Sequence, residues 1–332
     1  MKGPVARLLT TAFAAALLTA SGLALAQQKI QLRFSAASPP SDFLSKSLEA
    51  FKESMDKSAP NEFDISLYPA SKLIRQGAEL PALQRGNIEM FTMTTFEVAG
   101  QVPELGFFNR AYLFRDYDHL MKVLKGPIGE EYNRIVAEKM GVYILAPTYL
   151  GTRQVNLRAV REVKGPSELA GIKMRMPATP EWLLLGRTLG VNPVPLGMPE
   201  VYLALQTGSI DGQENPLTIM NAAKFHEVTK QIVLTAHLVQ PVFYTIGKHI
   251  WDKLSPEQKK KVQAASLAAT KLNDESRLAD EQQVEQTMAT RGLTVSRVDL
   301  AAFKANADKI YADSDVAKPW DKAMMQRALA TR

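Results

Sequence analysis

The chain has 332 residues, 46% hydrophobic and 22% charged, with a formal net charge of +6 and no cysteine. The missing cysteine excludes disulfides and a lipid-modified cysteine anchor, and a mild charge spread along the chain excludes the cationic face of a nucleic-acid binder. About three hundred residues after the leader described next exceed one comfortable core, so two domains are expected.

Lys2 and Arg7 flank the start of an apolar run, Leu8 to Leu18, and Ala24-Leu25-Ala26 supplies small residues around a cleavage point. Residues 1–26 read as a cleaved export signal rather than a bilayer span, which predicts a periplasmic protein starting near Gln27. Those two cations account for two of the six net charges.

Ile30–Ala36 alternates as a strand and leads through Pro39-Pro40-Ser41 to an amphipathic helix from Asp42 to Lys57. A strand at Phe63–Tyr68, a helix around Gly77–Arg85 and a strand at Asn87–Met93 complete a βαβαβ-like unit. Tyr117–Met140 predicts one helix, Val142–Tyr149 a buried strand and Arg153–Arg158 a further strand-like segment.

Gly-Ile-Lys-Met-Arg-Met-Pro (171–177) alternates apolar and cationic residues and places Arg175 on a short strand ended by Pro177. Helices at Glu181–Leu189 and Pro199–Gln206 flank a strand near Pro193–Leu196. Gly208 stops the second helix, and a short strand then leads to a proline-terminated turn carrying Asn215. Another strand, Gln231–Val239, is expected to end before Pro241.

Ser255 and Pro256 open a helical pattern free of Gly and Pro up to Gly292, on the order of 50 Å long. It reads either as one spine bridging two domains or as two helices broken near Asn273-Asp274. The alternation of strands and helices predicts an α/β fold of two domains around a central cleft. Residues 27–150 with 241–280 are assigned to the first, and 151–240 with 281–332 to the second. With no linker, chain crossings are expected near Tyr149–Arg153 and Gln240–Phe243.

Enzyme motifs are missing: no Gly-x-Ser-x-Gly, phosphate loop, His-Glu-x-x-His or cysteine nucleophile occurs. His119, His226, His237 and His249 lack metal-ligand spacing and read as structural or surface residues, so neither metal nor cofactor is expected. Lys259-Lys260-Lys261 reads as a solvated helix face. Asp211 and Glu214 offer an acid/base pair for a secreted hydrolase or isomerase, set against a turn at Asp211-Gly212 and an ion pair for Glu214. Arg175, with Arg153 in Gly-Thr-Arg-Gln (151–154), reads either as an ion-pair former or as a fork for an anion.

The segments Gly-Ile-Lys-Met-Arg-Met-Pro (171–177), Glu-Val-Tyr-Leu-Ala-Leu-Gln-Thr-Gly (200–208) and Asp-Gly-Gln-Glu-Asn-Pro (211–216) resemble the solute-binding proteins of tripartite ATP-independent periplasmic (TRAP) transporters. Leu-Tyr-Pro-Ala (67–70), Leu-Gln-Arg-Gly-Asn-Ile-Glu (83–89) and the long helix extend the resemblance over nearly the whole mature chain. It implies a monomeric, non-enzymatic receptor that closes on an organic acid and delivers it to the permease's membrane subunits. By the same resemblance Arg175 binds the ligand carboxylate, Arg153 supports it and Asn215 contacts the ligand from the facing turn.

Among members of known ligand, the chain is most similar to the sialic-acid-binding branch. Where those proteins carry a glutamate after the third strand, asparagines after the arginine strand and a phenylalanine before the Glu-Val-Tyr helix, this chain has Thr94, Ala178 with Trp182, and Met198. Hydroxyl-pairing groups are thereby lost, which argues against sialate and towards a smaller or flatter monocarboxylate such as a hydroxy, oxo or aromatic acid. A sialic-acid or sugar-acid ligand is the alternative within the family. Trp182 is read equally as pocket wall and as core.

Overall fold

The computed structural model describes residues 29–332; the export signal read at residues 1–26 lies outside the described residues. Strand β1 (Ile30–Ser35), helix α1 (Phe43–Ser58), β2 (Phe63–Tyr68), α2 (Glu79–Gln84) and β3 (Met90–Met93) form a parallel unit in the order β2-β1-β3. Asp42 caps α1 by accepting the Leu44 N–H at 2.9 Å. The helix then buries Leu44, Leu48, Phe51 and Met55, one face at helical spacing.

A helix absent from the sequence prediction follows, α3 (Thr95–Gln101). Thr94 and Glu97 form a reciprocal capping box at its start. The single helix predicted over Tyr117–Met140 is two, α4 (Tyr117–Lys125) and α5 (Pro127–Met140), because Gly126 adopts an extended backbone and Pro127 takes a first-turn position where its missing N–H is harmless.

The two strands predicted at Val142–Tyr149 and Arg153–Arg158 are one, β4 (Val142–Leu157). Then come β5 (Lys173–Met176), α6 (Pro180–Thr188), β6 (Asn192–Pro195), α7 (Val201–Thr207), β7 (Gly212–Pro216), α8 (Leu217–Ala222) and β8 (Gln231–Gly247). The chain finishes with α9 (Lys248–Trp251), α10 (Pro256–Thr290), β9 (Thr294–Arg297), α11 (Leu300–Ala312) and α12 (Lys322–Ala330).

Two predictions need correction here. Asn215 lies inside β7 rather than on a turn. Strand β8 does not stop before Pro241 but runs through it. Pro241 pairs with Tyr149 where the β4 register shifts between Tyr149 and Gly151, and an irregularity of this kind accommodates a proline within a sheet. Gly151 has φ of +127°, and a Cβ there would lie 2.5 Å from that of Pro216, so the bulge requires glycine.

β4 and β8 organise the fold. The first half of β4 pairs with the second half of β8 beside β3, and the second half of β4 pairs with the first half of β8 beside β7. The sheet order is β2-β1-β3-β8-β4-β7-β5-β6, with β9 on β8. Helices cover both lobes of this sheet, the α/β arrangement expected from the sequence.

Helix α10 is continuous over 35 residues, about 52 Å at 1.5 Å per residue, so the alternative of two helices is not realised. Val262, Ala265 and Ala269 pack in the core around β1 and α1, while Val284 and Met288 pack in the core around α7 and α8. Asn273 and Asp274, the suspected break, instead clamp β4. Asn273 donates to the Tyr149 carbonyl at 2.8 Å, and Asp274 accepts the Tyr149 N–H at 2.8 Å.

Candidate functional site

Strand β5 alternates strictly. Met174 and Met176 enter the hydrophobic core, which turns Arg175 to the other face, where it lines a cavity of about 390 Å³. Arg175 is only 1% exposed. Its Nε donates to the Leu196 carbonyl at 2.8 Å and its Nη2 to Gln76 Oε1 at 2.9 Å.

Three arginines are buried among the described residues. Arg277 pairs with Asp42 at 2.8 Å and Arg153 with Glu214 at 2.5 Å. Arg175 has neutral partners only. Burial pushes its guanidinium down to about 9; Glu214 and Glu200 oppose the shift and Arg153 adds to it. The group is still charged at neutral pH, an uncompensated cation on a cavity wall.

Arg153 spends most of its donors within the protein. It lies diagonally across the β4–β7 ladder from Glu214, since Arg153 faces Pro216 and Val155 faces Glu214. Its Nε and Nη2 fork onto the Glu214 carboxylate at 2.5 and 2.7 Å, and its Nη1 donates to Gln240 Oε1 at 2.6 Å. Burial alone would raise the Glu214 carboxyl, but Arg153 and His237 together hold it below the ordinary range. Burial lowers the His237 imidazole. A neutral ring facing an ionised carboxylate must donate from Nε2, at 3.0 Å from Glu214, so Nδ1 accepts from the Thr235 hydroxyl at 2.8 Å.

This cluster corrects the acid/base reading of Asp211 and Glu214. Glu214 is locked as the ionised partner of Arg153, while Asp211 does not line the cavity and accepts the Lys173 N–H at 3.0 Å. The two carboxylates do not converge on one reacting position.

All six residues singled out from the sequence, Arg153, Arg175, Asn215, Thr94, Trp182 and Met198, line the same cavity, as does Ala178. Asn215 donates to Gln213 Oε1 at 2.6 Å, and its carbonyl oxygen has no donor among the described residues. Trp182 is both wall and core. Its ring stacks on Phe96 at 3.6 Å, the planes 6° apart, and the Arg153 guanidinium lies 4.7 Å from its centroid.

Several cavity residues escaped sequence reading, among them Gln76, Glu79 and Glu97. Gln76 reaches from the loop before α2 and accepts with one oxygen from both Arg175 and the Met198 N–H, at 2.9 and 2.8 Å. Glu79 and Glu97 line the cavity from α2 and α3. Only the Thr94-x-x-Glu97 capping spacing was visible in the sequence, and it announces a helix start rather than a pocket. Of the four histidines, His237 alone joins the polar cluster behind the cavity. His119 is buried between the Arg115 N–H and the Ala328 carbonyl.

Residues 34–316 match the family described as bacterial extracellular solute-binding protein, family 7. A TRAP periplasmic solute-binding protein of Roseobacter denitrificans, solved with bound 3-deoxy-D-manno-oct-2-ulosonic acid, is 36% identical with a TM-score of 0.87, over 92% of this chain and all of that one. A TRAP periplasmic solute-binding protein of Bordetella bronchispeptica, with density assigned to pantoate, is 30% identical with a TM-score of 0.84, again over 92% of this chain and all of the other. The 2,3-diketo-L-gulonate-binding periplasmic protein of Escherichia coli is 31% identical over 293 residues, 88% of each chain.

Proposed function

The chain belongs to family 7 of the bacterial extracellular solute-binding proteins, the receptors of TRAP transporters, and from that membership we propose that it captures a small monocarboxylate and hands it to a TRAP membrane permease. Residues 1–26 would export it to the periplasm, where it acts as a monomer without a reaction of its own. The observation that carries the ligand class is Arg175: buried, charged, without a carboxylate partner, and lining the cavity.

A ligand carboxylate supplies the missing counter-charge through a charge-assisted bond made in a site sheltered from water. Asn215 adds an amide contact. Arg153 contributes by holding Glu214 and backing Trp182, because most of its donors are already used. Thr94, Ala178, Trp182 and Met198 make their part of the wall small or apolar, which favours a compact hydroxy, oxo or aromatic acid. The pantoate and 3-deoxy-D-manno-oct-2-ulosonic acid of the two relatives bracket the expected size.

Closure would bend β4 and β8 near Tyr149–Arg153 and Gln240–Phe243, where the two strands lie side by side. Gln76, held by Arg175 and Met198, would form one of the contacts made on closing.

Thermal-shift screening against carboxylic acids, followed by calorimetry, tests the reading. Pantoate, erythronate, aromatic acids and sugar acids should be included. Stabilisation by acids and not by their amides is expected; equal stabilisation by the amides would remove Arg175 from the role. Turnover of any bound acid by the purified protein would overturn the transport reading in favour of an enzyme.

A further inference from the structure

Arg175 accounts for one end of a ligand. A second set of ionisable groups lines the same cavity and has no part in that reading. Glu79, in the first turn of α2, is 4% exposed. Its Oε2 accepts the Gly77 N–H at 2.6 Å, and its Oε1 has no hydrogen bond among the described residues. Glu97 spends its Oε2 on the backbone N–H and hydroxyl of Thr94, and its Oε1 likewise has no partner among the described residues. Neither free oxygen is sealed from solvent inside the protein, so both are open to contact from the cavity.

The neighbouring charges that act most on this pair are themselves carboxylates, Glu97 on Glu79 and Glu181 on Glu97. Burial, then the neighbouring Glu97, pushes the Glu79 carboxyl up to about 8, and burial raises Glu97 as well. The charges acting on Arg175 are Glu214, Arg153 and Glu200, so the two charged parts of the wall do not neutralise each other. Leu150, Ala178, Met198 and Val242 supply apolar wall in the same cavity.

We propose that Glu79, backed by Glu97, is a second ligand contact that takes a hydrogen-bond donor, an ammonium or hydroxyl group, carried by the organic acid away from its carboxylate. The substrate class is then a hydroxy or amino acid with a remote donor, rather than a plain aliphatic or aromatic acid. The inference rests on the reading of Arg175 as the carboxylate anchor. An acid without a donor would leave the Glu79 oxygen desolvated and unpaired, and selectivity against such a ligand follows from that penalty.

The test is calorimetry on a series of straight-chain acids, each in unsubstituted, terminal-hydroxy and terminal-amino form, with wild type, Glu79→Gln and Glu79→Leu. Wild type should bind at least one donor-bearing form roughly tenfold more tightly than the plain acid. Glu79→Leu should abolish that preference and, because it removes the oxygen a plain acid leaves unpaired, should bind the plain acid at least as tightly as wild type does. Glu79→Gln keeps an acceptor oxygen and the Gly77 bond, so it should retain preference for the hydroxy form and lose preference for the amino form. No donor preference at any chain length, or a preference that survives Glu79→Leu, overturns the proposal. The corresponding amides separate the two readings: a Glu79-dependent preference equal for acids and amides upholds the Glu79 contact and overturns the carboxylate role of Arg175.

Discussion

Arg153 and Arg175 stand on the two strands that flank β7, reach the same cavity and are both buried, yet their surroundings differ in kind. Around Arg153 every charge has a partner: the guanidinium forks onto Glu214, Glu214 receives His237, and Thr235 fixes the His237 ring. Around Arg175 the partners are one carbonyl and one amide oxygen. A compensated buried ion holds strands in place; an uncompensated one on a cavity wall holds binding energy in reserve for an anion. Position in the sequence does not separate these roles. Partner count does.

The contrast breaks most sharply at Glu214. Glu214→Ala should destabilise the protein by about 3–5 kcal/mol, because it strands the Arg153 charge in the interior; urea denaturation monitored by circular dichroism measures it. Arg175→Met should show the reverse pattern, with stability of the unliganded protein undiminished and ligand binding abolished. If Arg175→Met proved as destabilising as Glu214→Ala, the distinction between the two arginines would fall.

Next in size is Arg175→Lys, which keeps a positive charge and loses the fork. Affinity for the acid should drop by about 2–3 kcal/mol, roughly 30- to 100-fold, in a titration against wild type. Gly151→Ala should cost about 1–3 kcal/mol of stability, since it forces a side chain into φ of +127° and against Pro216. Comparable loss is not expected from alanine at Gly171, where no atom lies within 4 Å of the added Cβ, beyond the strain of its own positive φ.

The most graded contrast is in pH. The Glu79 carboxyl is raised in the folded protein from an ordinary 4.5 to about 8. Its stabilising contribution is therefore present in full below 4.5 and is lost as pH rises towards 8. Glu79→Gln removes this dependence. Melting curves of the unliganded proteins should show the variant gaining on wild type between pH 5 and pH 8 and holding a constant lead above it. Glu97, whose carboxyl is also raised by burial, remains to titrate in both proteins.

Much of this molecule was legible in its sequence. Helix α1, the βαβαβ unit at the start of the chain and the strand carrying Arg175 followed from periodicity, which acts over a few neighbouring residues. The errors came where tertiary pairing outweighs local preference. Strands were expected to end before Pro241 and to break between Tyr149 and Arg153, but a bulge between two long strands carries both through. Asn273-Asp274 left a break open as one of two alternatives, but their side chains pair with the backbone N–H and carbonyl of Tyr149 and the helix is intact. Helix α3 was missed because seven residues carry too little pattern to declare a face.

The sequence by itself determined the α/β class, a helical pattern long enough for a spine and a set of six residues that the fold gathers around one cavity. Only the tertiary structure decided what each does there. Whether a buried arginine is neutral scaffold or open ligand depends on a carboxylate some sixty residues away, as Glu214 is from Arg153. Whether Glu79 and Glu97 face solvent, core or cavity depends on how α2 and α3 come together, which no local pattern encodes. Charge and propensity are properties of a residue; compensation is a property of the neighbours that the fold supplies.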